Sequence, residues 1–61
     1  MSRLDTNIPK DKLNVVKHFV NCNGGEILLQ TEWSHSYHLL IRLSEEKCFD
    51  LIALEFSWKR E

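Results

Sequence analysis

Four side chains of the kinds that ligate zinc stand in order along this chain, His18, Cys22, His35 and His38, in the pattern H-x3-C-x12-H-x2-H. Zinc takes thiolate and imidazole ligands in tetrahedral sets, and a bound ion would help so short a chain hold together. His18 and Cys22 are four residues apart and share one side of a helix. His35 and His38, three positions apart, point to opposite faces of a strand, and structural zinc sites use tighter paired motifs. The expectation is exposed or core-edge histidines, no metal and no cofactor, with a small zinc-stabilised domain as a second alternative.

Nucleophilic chemistry is as thinly supported. Cys22 beside His18, or Cys48 beside a histidine, would make a thiol–imidazole pair, yet no residue pattern supplies an orienting group or an oxyanion site. Glu45 and Glu46 are adjacent in a polar turn and read as solvated. A chain of 61 residues also offers little concave volume for a small-molecule substrate. The sequence is therefore read as a non-enzyme without catalytic residues.

Phosphate recognition would call on Arg3, Lys10 and Lys17, with Trp33, Tyr37 or Trp58 available to stack on bases. The net charge is −1, whereas nucleic-acid binders carry clustered cations and a basic excess. Residues 1–24 hold Arg3, Lys10, Lys12 and Lys17 against Asp5 and Asp11, a thin basic strip on an N-terminal helix. A nucleic-acid-binding regulator working through that strip is the first alternative.

These side chains are positioned by elements that the hydrophobic pattern predicts. Hydrophobic residues make up 43% and charged residues 28% of the chain, a composition that folds rather than stays disordered. Residues 1–7 are polar and read as flexible. Asn7, Ile8 and Pro9 suit a helix entry, and from there to about Asn21 a helical wheel gathers Leu13, Val15, Val16, Phe19, Val20 and Cys22 on one half. Asn23, Gly24 and Gly25 end the helix.

Period-two alternation follows, in Ile27, Leu29, Thr31 and Trp33, then Tyr37, Leu39, Ile41 and Leu43, then Ile52, Leu54, Phe56 and Trp58. Ser34, His35 and Ser36 join the first two strands, setting Trp33 opposite Tyr37 and Leu29 opposite Ile41. A turn over residues 44–47 then leads into a third strand. The predicted fold is α+β, one N-terminal helix on a three-stranded antiparallel meander (αβββ), a single domain over 1–61. The alternative is αββα, in which Ser44 caps a C-terminal helix with Glu45 and Glu46 in its first turn.

One helix shields only one face of such a sheet. The reverse face would present Leu28, Leu40 and Leu51 as a stripe, and Phe56 and Trp58 would stand on an overhanging strand end. A contiguous apolar patch marks an interface, and an open strand edge accepts another strand. The sequence thus points to a protein-binding module. It would form a homodimer, or dock on and modulate a larger protein in the manner of a bacterial or phage-encoded inhibitor. No apolar run approaches the roughly 20 residues that span a bilayer, and Met1 to Pro9 lacks the apolar core of a secretion signal. Two cysteines are fewer than a disulfide framework uses. The expected setting is cytoplasmic, with reduced thiols and no membrane partner.

Overall fold

The computed structural model describes residues 1–59. Its elements run β1 (Ser2–Pro9), a 3-10 turn (Lys10–Lys12), α1 (Leu13–Cys22), β2 (Glu26–Glu32), β3 (Ser36–Leu43) and α2 (Glu45–Lys59). The sheet order is β1-β3-β2, with β3 antiparallel to both neighbours. β1 and β2 are therefore parallel to each other and separated by β3, so β1, α1 and β2 form a split βαβ unit. This βαββα arrangement overturns both the αβββ meander and the αββα alternative.

The N-terminal segment is the first correction. Residues 2–9 are a paired strand, with Leu4 opposite Ile41, Thr6 opposite Leu39 and Ile8 opposite Tyr37. Ser2, Leu4, Thr6 and Ile8 face the helices and are half-buried or buried, while Arg3, Asp5, Asn7 and Pro9 are exposed. The alternation is real but faint in the sequence, because Ser2 and Thr6 are polar at inward positions. Ile8, read as part of a helix entry, is a buried core residue, and Pro9 is extended at φ −59° and ψ 147°.

α1 begins at Leu13 and buries Val16 and Val20, with Leu13 and Phe19 packed beside them. Val15 and Cys22, assigned to the inner half of the wheel, are exposed. The helix ends in a Schellman arrangement: the Gly25 amide donates to the Val20 carbonyl (2.8 Å) and the Gly24 amide to that of Asn21 (3.3 Å). Gly24 has φ +70°, which a side chain would strain. Gly25 is needed for a different reason, since a Cβ there would collide with Leu43 Cδ2 and fall 2.7 Å from the Arg42 carbonyl oxygen.

The β2–β3 hairpin is one residue out of the expected register near its turn. Glu32 stands opposite Tyr37, Thr31 opposite His38 and Leu29 opposite Leu40. A slip of one residue moves every side chain to the other face, so Leu29 leaves the core side. A bulge at Leu28 shifts the pairing by one residue more, which turns Ile27 back to the core side, opposite Ile41 rather than Leu43.

The third correction concerns residues 48–58, which are helical. Ser44 caps α2, its Oγ accepting from the Lys47 amide at 3.3 Å, with Glu45 and Glu46 in the first turn. Cys48 and Leu51 are buried, and Leu54 and Trp58 pack against the same core. β1 holds the free side of β3, so this segment has no place left beside β3. Both helices lie on the face of Leu39, Ile41 and Leu43, which are fully buried, and among the described residues no layer covers the opposite sheet face.

Candidate protein-binding edge

β1 is an edge strand of eight residues with no bulge. Every second backbone N–H and C=O of such a strand lacks a ladder partner. The other edge, β2, is interrupted by its bulge, a device that resists further pairing. β1 is thus the more receptive edge.

Beside it runs a groove of about 260 Å³, lined by Leu4, Asp5 and Thr6 from β1 and by Ile52, Glu55, Phe56 and Lys59 from α2. Thr6 Oγ1 donates to Glu55 Oε1, while Glu55 Oε2 is buried with no hydrogen-bond partner among the described residues. A buried acceptor left unpaired is costly, and this one lies in a residue of the groove wall but out of contact with solvent. Lys59 Nζ lies 5.8 Å from the Phe56 ring centre. α2 continues the apolar surface, because Phe49, Ile52 and Phe56 follow at helical spacing on a side not facing the sheet. Phe49 is 65% and Phe56 62% exposed.

The uncovered sheet face is mixed. Arg42 pairs with Glu26 at 3.1 Å and His38 pairs with Asp5. Leu29 and Leu40 pair across it, Leu29 being brought there by the one-residue slip, and the bulged Leu28 is next in the chain and part-exposed.

The residues singled out from sequence are distributed as follows. Leu40 stands opposite Leu29, and Leu28 is the unpaired residue of the bulge beside it. Leu51 does not join them, being fully buried beneath α2 on the opposite side of the sheet. Phe56 borders the groove, whereas Trp58, two residues on and about 200° round the helix, packs on the core with Lys12 Nζ 5.7 Å from its ring. The overhanging strand end expected to carry this pair is absent, because the segment is helical. Phe49, Ile52, Thr6 and Glu55 were missed. The i, i+3, i+7 spacing of Phe49, Ile52 and Phe56 was the available signal, masked by the period-two run that begins at Ile52.

The other constellations disperse. Arg3 and Lys10 stand near opposite ends of β1, about 23 Å apart at ~3.3 Å per residue, and Lys10 is bound to Glu32 at 2.9 Å. Lys17 lies on α1, beyond the sheet. Cys22 Sγ is 3.4 Å from His18 Nε2 on α1, but His38 sits on the uncovered sheet face with Asp5. Among the described residues no group of three or more His, Cys, Asp or Glu could hold a metal ion. Both cysteines are free, Cys22 exposed and Cys48 buried. Among the described residues no helix is long and apolar enough to cross a membrane.

Comparison with protein-family models, with curated proteins and with solved structures finds no match.

Proposed function

We propose that this chain is a protein-interaction module that binds an extended polypeptide segment along β1, with the groove between β1 and α2 receiving side chains. Strand addition draws affinity from main-chain hydrogen bonds and specificity from pockets for alternate side chains. The β1 edge supplies the first, and the Leu4, Ile52 and Phe56 groove supplies the second. The observation that carries the assignment is the coincidence of an open, regular edge strand with a groove beside it, in whose wall Glu55 Oε2 is buried without a hydrogen-bond partner among the described residues. Dispersal of the cations, and separation of His38 from the His18–Cys22 pair, favours polypeptide over nucleic acid or metal.

The test is a titration of the isotopically labelled chain with extended peptides selected by display against it. Amide shifts concentrated in residues 2–8 and around Phe56 are expected, with binding lost in Phe56→Asp and retained in Leu29→Asp. Shifts concentrated at Leu28, Leu29 and Leu40 instead would move the site to the sheet face and overturn the proposal.

A further inference from the structure

Resting on that assignment of the β1 edge, we infer that the occupant is a second copy of this chain, paired β1 to β1 about a two-fold axis at Leu4, giving a six-stranded sheet.

The charge pattern of β1 is self-complementary in this register alone. Directly opposed residues in an antiparallel pair share a face, so the axis must keep the helix-facing residues Ser2, Leu4 and Thr6 opposite one another. An axis at Arg3 sets Arg3 against Arg3, and an axis at Asp5 sets Asp5 against Asp5. An axis at Thr6 leaves Arg3 facing Pro9, which has no amide to donate. An axis at Leu4 places Arg3 of each copy opposite Asp5 of the other, and opposite charges across a strand pair stabilise it while like charges destabilise it. Within one copy Arg3 is badly placed, since its neighbour across the sheet is Arg42. A second copy supplies the carboxylate that Arg3 lacks among the described residues.

The helix-covered side agrees independently. The same axis brings Ser2 of the second copy opposite Thr6, and Thr6 holds Glu55. The Ser2 hydroxyl then reaches the neighbourhood of Glu55 Oε2, the buried acceptor without a partner among the described residues. The axis also falls at the β1 wall of the groove, whose β1 residues are Leu4, Asp5 and Thr6. Two grooves thereby merge, and the Ile52 and Phe56 sides of the two α2 helices are brought together over the joined strands. A symmetric pairing of this kind closes on itself and leaves the bulged β2 strands as the outer edges.

The experiment is solution mass by light scattering and sedimentation across a concentration series, on the full chain and on Arg3→Asp, Asp5→Arg and the double exchange. The parent chain should dimerise. Each single reversal should weaken the dimer about tenfold or more by setting two like-charge pairs across the strands, and the double exchange should recover most of the loss. Circular dichroism checks that each variant folds. A chain carrying Leu4→Cys and Cys22→Ser, oxidised under mild conditions, should give one crosslinked dimer, joined by a disulfide between the two introduced thiols on the axis. A monomer at millimolar concentration overturns self-pairing while leaving the β1 edge open to other strands. A dimer indifferent to the charge reversals but broken by Leu29→Asp overturns both the self-pairing and the choice of edge.

Discussion

Leu51 and Phe49 stand two residues apart, and their contrast tests the fold at its least legible point. As a strand, both would lie on one face and respond alike to truncation. As a helix they lie about 200° apart, and the structure leaves Leu51 fully buried and Phe49 65% exposed. Removing a buried leucine side chain costs ~2–5 kcal/mol once the residual cavity is included. A domain of 61 residues has a total stability of ~3–9 kcal/mol at ~0.05–0.15 kcal/mol per residue. Leu51→Ala should therefore remove about a fifth of the stability at the least, and most or all of it if the total lies near the lower end of that range. Phe49→Ala should stay within ~0.5 kcal/mol, as for substitutions at open surface positions. Urea titration followed by far-ultraviolet circular dichroism, at the lowest workable concentration so that self-association does not contribute, reads both. With a slope of ~1 kcal/mol per molar urea, the Leu51→Ala midpoint should drop by ~2 M or more. Equal losses in the two variants would refute the helical assignment of residues 45–59 and the burial scheme built on it.

Gly25→Ala should cost ~1–3 kcal/mol, as overpacking does, because the new methyl would collide with Leu43 Cδ2; thermal melting checks it. Ser44→Ala should lose ~1 kcal/mol with the cap on α2, read as a lower urea midpoint. Deleting residues 1–7 should abolish cooperative unfolding, since it removes most of β1 and uncovers one side of β3; an unchanged melting transition would show that the N-terminal segment is dispensable. Lys10→Ala should change stability by no more than ~0.5 kcal/mol, because its bond to Glu32 is exposed to solvent, and denaturant titration reads it.

Sequence alone determined the elements whose apolar pattern is strong and whose ends carry chemical stops. The helix from Leu13 is marked by Val16, Phe19 and Val20 and by the two glycines that close it. The β2–β3 hairpin follows from alternation on both sides of a short polar turn. Tertiary structure decided the rest, for reasons visible in particular residues. Ser2 and Thr6 face inward although polar, so β1 shows only Leu4 and Ile8 as apolar landmarks. Thr6 tolerates that place because Glu55, distant in sequence, accepts its hydrogen bond. Residues 48–58 are apolar round most of the helix, and their period cannot be read locally; strand or helix was settled by β1 occupying the side of β3 that a third strand would have needed. The bulge at Leu28 has a separate origin. The hairpin turn set one register and the core demanded another for Ile27, and one extra residue reconciled them. Phe49 and Phe56 became a surface only because Leu51 and Trp58 took the core, a choice made by the sheet and helix geometry together.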